Sequence, residues 1–236
     1  MQNQKISVSK TANTAMVNLN LGKTPIDEFV LTNIIQIIDS LESDPAVRVI
    51  VFEGFGSAPP SKIPIALLIS KISKPTIASI RDDCFDHSLE LAIACDIRIA
   101  SDTAKFAMRH MLYGVLPYDG GTQRLPRLIG RSQAMFLLLT SEIISAKRAL
   151  EIGLLQNIVP VNSLDTNVGK IAKAIAKGAP IAIAYTKEAI SNSSEMTLSQ
   201  GLSLEQDLGL LLFSTKDRKE GLKSFAEKRS PQFGGE

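Results

Sequence analysis

The spacing of hydrophobic positions changes along this chain, and each change marks an element. Ile6 and Val8, then the apolar positions of 15–19, alternate with polar neighbours on either side of Ala12, Asn13 and Thr14, which predicts an N-terminal hairpin. Leu31, Ile34, Ile35, Ile38 and Leu41 recur at helical spacing, so 30–41 is expected to be a helix, ended by Ser43-Asp44-Pro45. The stretch 47–52, apolar at every position but Arg48, predicts a buried strand. The same order returns after Pro75, with strand 76–80, helix 88–95, strand 97–100 and a strand-like stretch about Phe106. Alternating strands and helices imply an α/β core.

Beyond Gly120 the pattern becomes mainly helical. Helices are predicted over 122–129, 132–140, 145–152, 164–176, 181–191 and 216–227, interrupted by one strand at 158–161. The turn Gly178-Ala179-Pro180 is a reasonable boundary, dividing residues 1–178, an α/β core, from 179–236, a helical C-terminal region. Leu208, Leu210, Leu211, Leu212 and Phe213 exceed what one helix face needs, and predict a surface buried between subunits.

Composition narrows the function classes. With 236 residues and 44% hydrophobic content the chain can bury a sizeable core. Charge is nearly balanced, 26 Lys and Arg against 24 Asp and Glu, so neither nucleic acid nor an anionic membrane is favoured as a partner. Residues 1–10 are polar and no apolar run is long enough for a membrane span, which reads as a cytoplasmic protein. The two cysteines, Cys84 and Cys95, make neither a disulfide framework nor a metal cluster. Nothing near Cys84 in sequence would lower a thiol pKa, so both are expected to be inert, and no cofactor or metal is predicted.

Several stretches, in order, carry a family resemblance: SDPAVRVIVFEG, SKPTIASI, ELAIACDIRIAS, YGVLPYDGGTQRLPRLIG, AKRALEIGLLQNIVP and TKDRKEGLKSFAEKRSPQFGG. Together they cover most of the chain and resemble the crotonase (enoyl-CoA hydratase/isomerase) superfamily. The resemblance implies a spiral of ββα units with C-terminal helices that assemble trimers, often paired into hexamers. It also implies a shared chemistry, in which two backbone N–H groups form an oxyanion hole that stabilises an enolate.

Those two donors are where this sequence departs from the family. The first normally lies in a loop resembling FCAGADL that leads into a long helical excursion. Here the shorter FGSAPPSKIPIALLISKISKP takes its place, and Pro59 and Pro60 have no N–H to donate. The second normally sits in a GGG triplet before a Glu-Leu pair, whereas this chain reads Asp86-His87-Ser88-Leu89-Glu90-Leu91. His87 keeps a backbone N–H but fills space that glycine leaves open.

Glu90 matches the first of the two glutamates that position water in the hydratases, and His110 stands where the second would be. The only histidines, His87 and His110, therefore both fall beside the reaction centre, and an imidazole suits proton transfer near neutral pH. Asp119 follows His110 across the turn 114–117. This arrangement resembles the β-diketone hydrolase (oxocamphor hydrolase-like) branch, which implies His110 as base, Asp119 as its orienter and His87 as enolate stabiliser. Taken singly, Glu90 reads equally well as a carboxylate favoured by a helix N-terminus, and Asp119 as a helix cap. Ala58, Tyr113 and Tyr118 are assigned to the substrate-binding wall, although the tyrosines suit packing as well. Lys228 and Arg229 suit a nucleotide phosphate or plain solvent exposure.

Three readings stay open. The first is a cofactor-independent C–C hydrolase (retro-Claisen) of a β-diketone. The second is an acyl-CoA lyase or isomerase using Glu90 and His110. The third is a non-catalytic crotonase-fold subunit. The expected partners are a small dicarbonyl or acyl-CoA substrate and further copies of the chain, as homotrimer or homohexamer.

Overall fold

The structure, a computed structural model, describes residues 6–22 and 26–236, so residues 1–5 of the polar N-terminal stretch lie outside the described residues. Strands β1 (Ser7–Thr11) and β2 (Thr14–Asn18) form the expected antiparallel hairpin, with Ala12 at φ 52° in its turn. Helix α1 (Glu28–Ser43) follows, its first turn capped by the Asp27 side chain accepting from Val30 N. Then come β3 (Val49–Glu53), α2 (Ile65–Ser70), β4 (Thr76–Ile80), β5 (Cys84–Phe85), α3 (His87–Ala94), β6 (Ile97–Ser101) and β7 (Lys105–Ala107). A 3₁₀ turn (His110–Tyr113) leads to α4 (Gly121–Ile129), α5 (Arg131–Thr140), β8 (Ile144–Ser145), α6 (Ala146–Glu151) and β9 (Asn157–Val159). The chain ends in α7 (Leu164–Ala176), α8 (Pro180–Asn192), α9 (Leu198–Leu212) and α10 (Lys216–Ala226).

Six strands make one sheet in the order β1-β2-β3-β4-β6-β9, parallel apart from the β1–β2 pair, and β5, β7 and β8 make a second. A parallel strand covered on both faces must be apolar at every position, and β3 shows why its sequence reads VIVF. Val49 and Val51 face Leu164, Val168, Ala172 and Ala176 of α7. Ile50 and Phe52 face the larger core, with Val30, Ile34 and Leu41 of α1. Each such side chain contributes roughly 1.5–3 kcal/mol on full burial. The expected α/β body with a helical C-terminal part is therefore present.

Two helices go beyond the hydrophobic reading. α9 is announced by a capping box, Thr197 and Gln200 exchanging side-chain to backbone bonds. α2, one and a half turns long, has no cap of its own, because Pro64 precedes it. Its first N–H groups are satisfied from a distant part of the chain, and that contact organises the site.

Candidate active site

Where the resemblance implies three glycines, Asp86, His87 and Ser88 each use a side chain to tie down a neighbour. Asp86 keeps a backbone conformation that suits glycine, φ 54° and ψ −121°, which for an L residue costs on the order of 1–3 kcal/mol. The cost is offset by Arg109, whose N–H donates to Asp86 Oδ1 at 2.6 Å and whose Nη2 donates to Oδ2 at 2.6 Å. The bond to Asp86 holds the Arg109 guanidinium above its usual pKa. Its Cζ lies over the Phe85 ring, 4.5 Å from the ring centroid.

His87 is wholly buried, and its Nε2 lies 3.1 Å from Asp119 Oδ2. The same Asp119 oxygen accepts from Ala66 N at 2.5 Å, and Oδ1 accepts from Leu67 N at 3.3 Å. Asp119 is thus a cap, but of α2, which lies far away in sequence, and not of α4, the helix it precedes. Arg124 reinforces the contact by donating to Asp119 O at 2.8 Å and to Ser70 Oγ at 3.0 Å.

Glu90, also wholly buried, divides its oxygens between two tasks. Oε1 accepts from Asp119 N at 2.8 Å and Gly121 N at 2.9 Å. Gly121 permits the approach, since a Cβ there would lie 2.7 Å from Pro117 Cβ and 3.1 Å from Glu90 Oε1. Oε2 lies 3.3 Å from His110 Nε2, without hydrogen-bond alignment. Glu90 Oε2 and both His110 nitrogens are therefore buried without a hydrogen-bond partner among the described residues. His110 is itself fully enclosed at the start of the 3₁₀ turn.

All four predicted residues meet in one buried cluster, but not in the expected pairs. The His110–Asp119 dyad inferred from sequence is replaced by His87–Asp119 and His110–Glu90. The cause is local. Gly114, left-handed at φ 67°, ends the 3₁₀ turn, and the chain returns so that Asp119 faces α2 and His87 while His110 stays against Glu90.

Of the substrate-wall candidates, Tyr118 lines a cleft of about 780 Å³ with Leu67, Asp119, Arg124, Arg127 and Ser191. Tyr113 is half exposed, and Ala58 is completely buried. Ser88 was missed by sequence reasoning. Its Oγ accepts from Gly56 N at 3.4 Å and Ala58 N at 3.3 Å, while the His87 N–H donates to Ala58 O at 3.2 Å. The available signal was the loss of the third glycine of the triplet. Both thiols are buried away from solvent, which pushes Cys84 well above the usual thiol range and Cys95 up to about 12. Among the described residues no three His, Cys, Asp or Glu side chains gather so as to hold a metal ion, and no helix is long and apolar enough to cross a membrane.

Comparison with known proteins places these features in a family. Residues 62–236 match the family model described as enoyl-CoA hydratase/isomerase. A mitochondrial enoyl-CoA hydratase of Pongo abelii is 34% identical over 95% of this chain and 84% of its own length. The (E)-benzylidenesuccinyl-CoA hydratase of Thauera aromatica is 34% identical over 98% of this chain and 99% of its own. An enoyl-CoA hydratase structure from Bacillus anthracis superposes with a TM-score of 0.90 at 31% identity, covering 99% of this chain and 100% of that one. A matched α/β core with its helical C-terminal part, and a family model spanning the candidate site, leave one conclusion: the chain belongs to the enoyl-CoA hydratase/isomerase family of the crotonase superfamily.

Proposed function

We propose that this protein is an acyl-CoA lyase or isomerase in which Glu90 and His110 move protons on a short acyl thioester. One observation carries the reading: the 3.3 Å approach of Glu90 Oε2 to His110 Nε2 in a fully buried setting where neither of these two atoms has a hydrogen-bond partner among the described residues. Buried polar atoms without partners are costly, and their persistence points to a group supplied by a ligand. Glu90 is oriented by two amides through its other oxygen, as a positioned base requires. In this scheme Glu90 takes the proton next to the thioester carbonyl. Glu90 passes it across to His110, which delivers it two carbons further on, at the γ-carbon of the dienolate, or the pair serves the addition or loss of water. The carbonyl oxygen of the enolate would rest on the His87 N–H.

The names of the relatives support an acyl-CoA substrate, since those compared are hydratases of enoyl-CoA or of a benzylidenesuccinyl-CoA. Retro-Claisen hydrolysis of a β-diketone is less well supported. As read from the sequence it has Asp119 orient His110, and the Asp119 carboxylate is taken by His87 and α2, which leaves Glu90 beside His110 instead.

Titration calorimetry with coenzyme A and short acyl-CoA esters tests the reading. Micromolar binding is expected. Crotonyl-CoA hydration is expected to run about 10²- to 10⁴-fold below that of a two-glutamate hydratase, because an imidazole stands for one carboxylate. Turnover of cyclic 1,3-diketones without acyl-CoA binding would restore the hydrolase reading, and failure of both would leave a non-catalytic subunit.

The assembly proposed with this function is a homotrimer or a pair of trimers. Leu210, Leu211 and Phe213 of the α9 end and Leu222 and Phe225 of α10 are exposed on the single chain, an apolar surface that association would cover. Light scattering is expected to give three or six times the 25.5 kDa chain mass, and a stable monomer at micromolar concentration would reject the assembly.

A further inference from the structure

The segment from Gly56 to Ser70 begins alongside residues 85–87 and meets the His87 N–H, the donor to which the proposed function assigns the substrate carbonyl. Its Ala58 carbonyl oxygen accepts the His87 N–H at 3.2 Å, the donor assigned above to the substrate oxygen. Its own remaining N–H groups near the site, those of Gly56 and Ala58, are drawn off by the buried Ser88 Oγ. Gly56 O accepts from Phe85 N at 2.9 Å, so residues 56–58 lie along 85–87 like an added strand. At the far end of the segment, α2 hangs on Asp119 through Ala66 N and Leu67 N, and on Arg124 through Ser70 Oγ. Between these anchor points come Pro59, Pro60 and Pro64, which contribute no backbone donors.

We propose that residues 56–70 form a self-occupying latch, in which the Ala58 carbonyl stands in for the substrate carbonyl at the His87 N–H, and Ser88 and Asp119 set how tightly the latch closes. The inference rests on the acyl thioester reading and adds its regulation: substrate binds only the fraction of molecules in which Ala58 has left His87. Apparent affinity is then the intrinsic affinity reduced by that fraction. The latch also communicates with the acid–base pair. Asp119 holds α2 through its carboxylate, while its own N–H holds Glu90 Oε1. Opening the segment therefore pulls on the residue that orients Glu90.

Ser88→Ala isolates the latch, because it deletes the acceptor of two segment N–H groups and leaves Glu90, His110 and the His87 N–H in place. Hydrogen exchange of the full chain, without ligand, is expected to quicken about tenfold in the peptides covering 56–70 and to stay unchanged in those covering β3 and β4. Butyryl-CoA binding by calorimetry is expected to tighten by about the same factor. Ser88→Cys, nearly isosteric and a weak acceptor, gives the same comparison if the alanine protein does not fold. Unchanged exchange over 56–70 in a folded Ser88 variant overturns the latch. Faster exchange without butyryl-CoA binding to either protein supports the latch as a closure and instead removes the acyl thioester reading.

Discussion

The Glu90→Gln protein is expected to fold normally and to turn over its acyl-CoA substrate roughly 10² to 10⁴ times more slowly than the parent. The expectation follows from the separate duties of the two carboxylate oxygens. Oε1 accepts from Asp119 N and Gly121 N, and a glutamine carbonyl oxygen has the lone pairs to accept both. Oε2 faces His110, and there an amide NH₂ cannot take up a proton. Glu90→Ala should behave differently, because it leaves two buried amides without an acceptor at about 1–3 kcal/mol each. For a chain of this size that corresponds to a fall in Tm of roughly 4–24 °C. Steady-state kinetics beside thermal unfolding separates the two effects. Undiminished turnover by Glu90→Gln would take Glu90 out of the mechanism.

Much of the fold was legible because burial on two faces leaves a plain trace. The run at β3 is apolar at all but its last position and every residue of β4 is buried, since helices cover both sides of the parallel sheet, and Thr76–Ile80 came out with its predicted bounds. α7 was equally plain, with Leu164, Val168, Ala172 and Ala176 marking one buried stripe. α2 left less trace. It spans six residues, begins after a proline, and takes its cap from Asp119, a residue 53 positions beyond Ala66. No local pattern can encode a contact of that range.

The site was legible in membership and illegible in pairing. His87, Glu90 and His110 were found from their positions relative to the glycine triplet and the Glu-Leu pair, Asp119 from its place after His110 across the turn 114–117, and all four are buried together. Proximity along the chain suggested His110 with Asp119. The structure instead joins residues 32 apart, His87 and Asp119, because one left-handed glycine redirects the chain between His110 and Asp119. The replaced glycines were visible as an anomaly, but their purpose was not. Only the packed structure shows Asp86 gripping Arg109 and Ser88 collecting the N–H groups of residues 56 and 58.

Asp119→Ala should be among the most destabilising single changes in the site, by about 3–5 kcal/mol, or a fall in Tm of roughly 6–20 °C. The buried carboxylate accepts from Ala66 N, Leu67 N and His87 Nε2, so its removal strips the cap from α2. It also leaves His87 with no partner at either ring nitrogen, since Nδ1 already has none. Asp119→Asn keeps one acceptor oxygen and should cost less. The pairing itself is read by double-mutant cycles on unfolding free energy, which isolate the interaction between two side chains. His87→Ala combined with Asp119→Asn is expected to show a coupling of about 0.5–3 kcal/mol, as is His110→Ala combined with Glu90→Gln. The cross-combination of His110→Ala with Asp119→Asn should show a smaller coupling than either, because those side chains share no direct bond and communicate only through the Asp119 N–H on Glu90. A larger coupling between His110 and Asp119 than between His87 and Asp119 would reverse the assignment and return the carboxylate to His110.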